Sequence, residues 1–185
     1  MFDGIVLAGG YSSRANTNKM CLEYRGKPLI LNTIKSMHKV CKKIIVVTGH
    51  HHKEIYEVVK DLDYVDVVYN KNYNNGMFSS ILAGVNEVNN SFFIIPGDYP
   101  TVKITTYEEM TKVKKGIVVP SFDYHLGHPI LFDKSFKIKM LETKHSNLKD
   151  FRNEYRFNIV EVNDPGILLD IDSLEDYKKL LERND

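Results

Sequence analysis

Short apolar runs separated by helical patterns are the feature that most constrains how this chain can fold. The runs are mostly continuous rather than alternating, which is typical of strands covered on both faces. They occupy residues 5–8, 44–47, 65–69, 92–95 and 117–119. The intervals between them carry apolar residues at helical spacing, for example Ile30, Ile34, Met37 and Cys41. This alternation predicts βαβ units and an α/β fold in which helices cover both faces of a mostly parallel sheet.

The pattern changes after about residue 120. A strand or hairpin is predicted within residues 121–136, short helices near 135–153, and a further strand at 157–162. Ser173 and Asp176 have the spacing of a capping box at the start of a last helix. We expect this half to form a small β-rich lobe, and residues 1–185 to form a single domain.

Charge and cysteine content exclude several classes of protein. The net charge is +1, so no global basic surface makes nucleic acid the main partner. No apolar run approaches the roughly 20 residues that span a bilayer, which argues against a membrane protein. Cys21 and Cys41 form neither a CxxC pair nor a zinc spacing. Together with an N-terminus that lacks a basic region, these features predict a cytoplasmic protein.

Adjacent glycines follow the first apolar run, at Gly9 and Gly10. Glycine lets the backbone approach a ligand closely, and the N–H groups of such a loop can bind an anion. Arg14 and Lys19 follow and would add two cations suited to a polyphosphate. The order of residues fits neither the P-loop nor the GxGxxG dinucleotide fingerprint. On spacing alone, a tight strand-to-helix turn with two solvated cations remains the alternative.

Three acidic residues are candidates for a metal site. Asp98 follows the run at 92–95, and ligands bind at the carboxyl ends of strands in open α/β sheets. A carboxylate that faces a phosphate loop needs a cation between them, and Mg²⁺ prefers such oxygen ligands. Asp170 and Asp172 alternate across Ile171, so an extended segment would point both to one side. The alternatives are a turn aspartate at 98 and helix N-terminal acids at 170 and 172.

The sequence GHHHKEI contains three consecutive histidines, which would point in different directions. No cysteine or acidic cluster completes a tetrahedral set, so we do not expect zinc there. Thr48, Gly49 and His50 follow the second apolar run and are candidates to border a nucleotide base. Residues 70–76 hold four asparagines and one glycine. This composition indicates either a solvated loop or a mobile cover, after which Ser79 and Ser80 would start a helix and bond to ribose or phosphate.

Five segments, in the same order, resemble signatures of the molybdenum-cofactor nucleotidyltransferase family, the molybdopterin cytidylyl- and guanylyltransferases. They are LAGG-x-S-x-R with a lysine five residues later, NKNYNNGMFSSILAGV, PGDYP, GHPILF and DIDSLEDY. The resemblance covers nearly the whole chain. Ala15 and Asn16 stand where the family usually has Met-Gly, and Leu174 replaces a proline of the last motif.

This resemblance implies a Rossmann-like three-layer sandwich of the nucleotide-diphospho-sugar transferase type, with a small acceptor lobe. It also implies an enzyme that depends on Mg²⁺, with Mn²⁺ as an alternative. Such an enzyme moves a nucleoside monophosphate from CTP or GTP to molybdopterin or the molybdenum cofactor, with release of pyrophosphate. The base stays open, because the later segments indicate the cytidylyl branch whereas Gly9 is typical of the guanylyl branch. Transient contact with a molybdoenzyme or its chaperone is a further implication.

The resemblance also assigns residues to roles. The nucleotide would be bound by Leu7, Ala8, Gly9, Gly10, Ser12, Ser13, Arg14, Lys19, Thr48, Gly49, Gly76 and Ser80. Catalysis would depend on Arg14, Lys19 and Asp98. The metal would be held by Asp98 with Asp172 or Asp170. The acceptor would lie near Gly127, His128 and Pro129, although a core or hinge role for His128 is the alternative.

Two other functions stay open at this point. One is nucleotidyl transfer to a sugar, choline or polyol phosphate, because the glycine loop is shared with such enzymes. The other is a non-catalytic nucleotide-binding module with a regulatory or chaperone role, because a fold does not fix a function. A dinucleotide oxidoreductase fits less well, since its fingerprint is absent.

Overall fold

The computed structural model describes residues 1–11 and 18–183. The strands of this part of the chain are β1 (Phe2–Ala8), β2 (Glu23–Tyr24), β3 (Lys27–Pro28), β4 (Cys41–Thr48), β5 (Val65–Tyr69), β6 (Ser91–Pro96), β7 (Ile117–Phe122), β8 (His125–Leu126), β9 (Ile130–Phe132) and β10 (Phe157–Glu161). Its α-helices are α1 (Leu29–His38), α2 (His52–Val59), α3 (Met77–Glu87), α4 (Ile104–Thr111), α5 (Phe136–Leu141), α6 (Leu148–Asn153) and α7 (Leu174–Leu181). Short 3₁₀ helices occupy Lys19–Cys21, Tyr73–Asn75 and Pro165–Leu168.

Eight of the strands form one mixed sheet in the order β10-β7-β9-β6-β1-β4-β5, with β8 paired to β7. β1 lies between β4 and β6 and runs parallel to both, so that Ile5 is opposite Ile45 and Ile94. β5 is parallel to β4, and β10 is parallel to β7. The α/β fold with a mostly parallel sheet, predicted from the apolar runs, is therefore confirmed.

Helices cover the sheet on both faces, which explains why the runs are continuous. Successive side chains of a strand point to opposite faces. On one face Val6 packs in the same cluster as Ile34 of α1. On the other, Ile5 packs with Ile81 and Val85 of α3. Because the side chains on both faces are buried, the odd-numbered and the even-numbered residues of the strand must both be apolar.

The β-rich second half is built into the same sheet. β9 runs antiparallel between β6 and β7, with Ile130, Leu131 and Phe132 all buried. Three consecutive apolar residues can occupy the interior of a sheet, because neither face of the strand meets water. The strands expected after residue 120 therefore extend the main sheet.

The last helix begins as its sequence predicted. The Ser173 side chain accepts a hydrogen bond from the Asp176 N–H, and the Asp176 carboxylate accepts one from the Ser173 N–H. This reciprocal capping box satisfies two N–H groups at the start of α7. None of the helices formed by residues 1–11 and 18–183 is long and apolar enough to cross a membrane.

Candidate active site

A cavity of about 350 Å³ opens at the carboxyl ends of β1 and β6. Leu7 of β1 and Pro96 of β6 are register partners, so the loops that follow these two strands meet. The predicted site residues that line the cavity are Leu7, Gly9, Gly10, Lys19, Gly76, Ser80, Asp98 and Asp172. These eight come from four separate sequence segments, and the topology brings them together where ligands bind in open α/β sheets.

Lys19 joins two acidic side chains from distant parts of the chain. Its Nζ donates to Asp98 Oδ2 at 2.6 Å and to Asp172 Oδ1 at 2.9 Å. The side chains of Lys19 and Asp98 are only 13% and 9% exposed, whereas that of Asp172 is 45% exposed. Burial lowers the pKa of Lys19, but the two carboxylates outweigh it and hold this pKa above its ordinary value. The ammonium is therefore charged at neutral pH.

Asp98 has an oxygen that the described residues leave without a hydrogen-bond partner. Its Oδ1 is buried and unpaired within residues 1–11 and 18–183, while Oδ2 accepts from Lys19. Burial raises the pKa of the Asp98 carboxyl, and the neighbouring ammonium opposes that change. A buried carboxylate oxygen without a partner is costly, which indicates that a ligand completes its environment.

The donor set suits a hard divalent cation. Asp98 and Asp172 both reach the Lys19 ammonium, so a cation can lie close to both carboxylates. Within the described residues, no three His, Cys, Asp or Glu side chains group together as a metal site. Mg²⁺ tolerates this, because it usually keeps several waters and takes one or two protein carboxylates plus substrate phosphates.

Asp170 and Asp172 occupy different surroundings. Asp172 lines the cavity, whereas Asp170 is exposed and borders a depression beside α7 with Lys179. Ile171 between them is buried, and its N–H donates to the Asp98 carbonyl at 3.1 Å. The segment is not a regular strand, so the alternation that predicted a shared side does not apply. Asp172 is the better placed partner for Asp98.

The glycine loop (residues 9–18) begins against α3. A Cβ on Gly9 would lie 2.8 Å from Ser80 Oγ, so any other residue here would require the serine side chain to move. Asn70 Nδ2 donates to the same Ser80 Oγ at 3.0 Å, which fixes the serine beside the cavity. No atom of the described residues lies within 4 Å of the Cβ position of Gly10, so among them this position faces open space.

Ser12, Ser13 and Arg14 lie outside the described residues, so their predicted contacts with phosphates stay predictions.

Three residues predicted to bind the nucleotide do not line the cavity. Ala8 and Thr48 are buried, and Thr48 Oγ1 is hydrogen-bonded to His52 Nδ1 at 2.8 Å. A Cβ on Gly49 would lie 2.5 Å from the Gly9 carbonyl oxygen. Gly49 thus packs against Gly9, and Thr48 is the register partner of Ala8.

The predicted acceptor segment lies beside Asp98 rather than in the cavity. The His128 ring is 5.1 Å from the ring of Tyr99, which follows Asp98 directly. The His128 N–H donates to the Ile167 carbonyl at 2.9 Å, and the His128–Pro129 bond is cis. Burial lowers the pKa of His128 to about 4, so its imidazole is neutral near pH 7. A Cβ on Gly127 would lie 2.3 Å from the Ile167 oxygen.

The sequence analysis missed an aromatic cluster that borders the cavity. The Tyr11 ring lies 4.8 Å from the His50 ring and 5.5 Å from the Tyr73 ring. Its hydroxyl donates to Asn74 Oδ1. Tyr11, Tyr73 and Asn74 also line the cavity. Loop tyrosines and asparagines have no periodicity, so only their nearness to the glycines and to the 70–76 segment could have indicated them.

Comparison with known proteins places these features in context. Residues 4–157 match the model of the family described as MobA-like NTP transferase domain. The molybdenum cofactor cytidylyltransferase of Escherichia coli (strain K12) is 28% identical over 184 residues, which are 98% of this chain and 96% of that protein. A "Probable molybdenum cofactor guanylyltransferase" of Bacillus mycoides (strain KBAB4) is 32% identical over 123 residues, 63% of this chain and 60% of that protein.

A solved structure shows the same fold. Rv0371c from Mycobacterium tuberculosis H37Rv superposes with a TM-score of 0.83 and 24% identity. The superposition covers 98% of this chain and 97% of that one.

Proposed function

Because this chain belongs to the family of MobA-like NTP transferase domains, we propose that it moves a nucleoside monophosphate from a nucleoside triphosphate to molybdopterin or the molybdenum cofactor. The observation that carries the proposal is the contact of Lys19 with both Asp98 and Asp172, beside the cavity of the glycine loop. This arrangement offers one cation, two carboxylates and the backbone of two adjacent glycines to a triphosphate.

The reaction is a displacement at phosphorus. An oxygen of the acceptor's terminal phosphate attacks the α-phosphorus of the triphosphate and forms a new P–O bond. The bond from that phosphorus to the bridging oxygen breaks, and pyrophosphate leaves with the electron pair. No protein nucleophile takes part, so catalysis rests on positioning and on stabilising negative charge.

The residues of the chain divide this work. The N–H groups of Gly9 and Gly10 donate to phosphate oxygens of the nucleotide. The Lys19 ammonium balances the charge that develops on the transferring and leaving groups, and Arg14 is proposed as a second cation there. Phosphates compete with Asp98 for Lys19, so the ammonium is drawn toward the nucleotide when it binds.

We propose Asp98 and Asp172 as the residues that hold Mg²⁺, with Mn²⁺ as a substitute. The unpaired Oδ1 of Asp98 supports this assignment. When bound, the cation would polarise phosphate oxygens and neutralise part of their charge. Asp170 borders the neighbouring depression and stays the alternative to Asp172.

The acceptor is proposed to lie on the Tyr99 side, against Gly127, His128 and Pro129. CTP is proposed ahead of GTP, because the match to the Escherichia coli protein named as a cytidylyltransferase spans 98% of the chain. A cytoplasmic setting and transient contact with a molybdoenzyme or its chaperone complete the proposal.

The test is pyrophosphate release with Mg²⁺, comparing CTP, GTP, ATP and UTP against a panel of acceptors. The panel contains molybdopterin, its molybdenum-loaded form, choline phosphate and several sugar phosphates. We expect release with CTP and a molybdopterin acceptor. Turnover only with choline phosphate or a sugar phosphate would overturn the acceptor. Tight triphosphate binding without pyrophosphate release from any pair of triphosphate and acceptor would overturn the proposed enzymatic activity and favour a nucleotide-binding module.

A further inference from the structure

Two polar side chains at the start of α2 contact both ends of the glycine loop. His51 Nε2 lies 3.3 Å from the carbonyl oxygen of Tyr11, and Glu54 Oε2 accepts from Asn18 Nδ2 at 2.9 Å. His51 and Glu54 also bond to each other, with Nδ1 and Oε1 3.1 Å apart. Tyr11 and Asn18 are the residues on either side of positions 12–17. The histidine and the glutamate therefore bridge the two ends of this segment.

The chemistry of the four groups determines which of them donates and which accepts in each hydrogen bond of the bridge. A carbonyl oxygen and a carboxylate only accept hydrogen bonds. The two ring nitrogens of His51 are therefore the groups that can donate to the Tyr11 carbonyl and to the Glu54 carboxylate. Each Glu54 oxygen takes one donor, and hydrogen bonds from Asn18 and His51 lower the pKa of Glu54. The negative charge of Glu54 makes the bonds that it accepts from Asn18 and His51 charge-assisted.

Asn18 connects the bridge to Lys19, the next residue in the chain. It is buried, and its Oδ1 accepts from the Met20 N–H at 3.2 Å. It thereby caps the short helix Lys19–Cys21, while its Nδ2 holds Glu54. The direction in which Lys19 leaves the backbone consequently depends on Asn18, and the side chain of Asn18 depends on Glu54.

The other end of the bridge is restrained as well. Tyr11 lines the cavity, and its ring packs against His50 and Tyr73. Its carbonyl oxygen is the group that His51 contacts. The consecutive histidines therefore have a use that requires no metal: one packs on Tyr11 and the next bonds to it.

We propose that His51 and Glu54 are positioning residues that hold both ends of the glycine loop in place for phosphate binding. With the ends held, the Gly9 and Gly10 amides and the Lys19 ammonium keep a fixed spacing. The consequence for turnover rests on the proposed function. The restraint on the backbone does not, and it can be measured in the protein without substrate.

The first experiment compares Glu54→Gln with Glu57→Gln by amide hydrogen exchange in the substrate-free chain. Glutamine is uncharged and has a single carbonyl oxygen, so it cannot offer Asn18 and His51 one carboxylate oxygen each. Glu57 lies on the same helix, is exposed and pairs with Lys60, so its variant is matched in charge. We expect exchange at the Met20 and Cys21 amides to rise roughly tenfold in Glu54→Gln only. Unchanged exchange at these amides would overturn the proposal.

The second experiment measures steady-state kinetics of the same variants and of His51→Asn. Misplaced phosphate-binding groups typically cost ten- to hundredfold, so we expect kcat/KM for the triphosphate to fall roughly tenfold. The KM for the acceptor and the melting temperature should stay at the values of Glu57→Gln. The variant that combines Glu54→Gln with His51→Asn should lose no more kcat/KM than the more impaired single variant, because both residues act through one bridge. Losses that multiply would contradict a shared bridge.

The two experiments separate the two proposals. If amide exchange rises in Glu54→Gln but the unmodified chain shows no turnover with any substrate pair, the proposed function fails and the loop restraint stands. If the unmodified chain turns over and Glu54→Gln matches Glu57→Gln in both experiments, the restraint fails alone.

Discussion

The Nζ atom of Lys19 lies 2.6 Å from Oδ2 of Asp98, although the two residues are 79 positions apart in sequence. The distance is short because β1 and β6 are neighbours in the sheet, so the loops after them share one edge. A largely buried ion pair at this place costs desolvation that a surface pair avoids. Its position beside an open cavity makes it the part of the molecule where substitutions are most informative.

Replacing Asp98 by Asn should abolish turnover with little effect on the binding of the triphosphate. Asparagine keeps the shape of the side chain but removes the charge proposed to hold the cation, and we expect a loss of at least about 100-fold. Pyrophosphate release measures the turnover, and calorimetry measures the binding. Asp66→Asn is the matched control, since Asp66 forms an exposed ion pair with Lys43. Full turnover in Asp98→Asn would rule out the proposed role.

Replacing Lys19 by Met should strengthen the binding of Mn²⁺ to the substrate-free chain while turnover is lost. The ammonium now neutralises Asp98 and Asp172, and it competes with any cation for their oxygens. We expect roughly tenfold tighter binding, measured as free Mn²⁺ by electron paramagnetic resonance. Lys43→Met should bind Mn²⁺ as the unmodified chain does. Weaker binding in Lys19→Met would show that these carboxylates do not form the ion site.

Two glycines of the site should respond differently to alanine. The methyl group of Gly10→Ala meets no atom of residues 1–11 and 18–183 within 4 Å, so the free energy of unfolding should change by less than about 0.5 kcal/mol. The added methyl group enters the cavity, and the KM for the triphosphate should rise roughly tenfold. Gly49→Ala would meet the Gly9 oxygen at 2.5 Å and should cost about 1–3 kcal/mol. Thermal unfolding and steady-state kinetics separate the two. A destabilised Gly10→Ala chain would show that the Cβ position of Gly10 is not open space.

Acid should destabilise the chain through His128. Its pKa is lowered to about 4 from an ordinary value of 6.5. The unfolded chain therefore binds this proton first as the pH falls. The histidine's contribution to stability is present above about pH 6.5, declines toward pH 4 and is flat below. The decline should amount to about 2–3 kcal/mol.

Urea unfolding between pH 7 and pH 4 tests this expectation. His128→Gln should reduce the slope of stability against pH in that window. His125→Gln, an exposed position three residues earlier, should leave the slope unchanged. Equal slopes in the unmodified chain and in His128→Gln would refute the assignment.

Much of the fold can be predicted from the sequence, because a strand that is buried on both faces appears as a continuous apolar run. The run at 5–8 lies within β1 and the run at 92–95 lies within β6, as expected of continuous apolar segments. The place of β9 does not follow in the same way. Ile130–Phe132 is three residues long, and its partners are fixed by how the chain returns to the sheet. Such a short run has no period that distinguishes an antiparallel insertion from a parallel edge.

The site was predictable where the chemistry needs particular residue types in a fixed order. Gly9, Lys19, Asp98 and Asp172 belong to such segments, and the fold brings them to one cavity. Glu54 and His51 have no such pattern, because polar residues at the start of a helix are common everywhere. Thr48, predicted to border the base, does not line the cavity. A residue at the end of a strand can face the ligand or the core, and here its hydroxyl bonds inward.

The position of β9 also sets an order of events for folding. Within the described residues, β6 and β7 are joined only through β9, so β6-β1-β4-β5 and β7-β10 form two groups with one shared seam. A ribosome releases residues 1–96 first, and these already contain four adjacent parallel strands. Strand β7 emerges next but has no neighbour in that group until residues 130–132 follow it. Strand β9, which joins the two groups, is thus synthesised after both of its neighbours, β6 and β7. Until β9 emerges, the edge of β6 that will pair with it stays uncovered in the nascent chain.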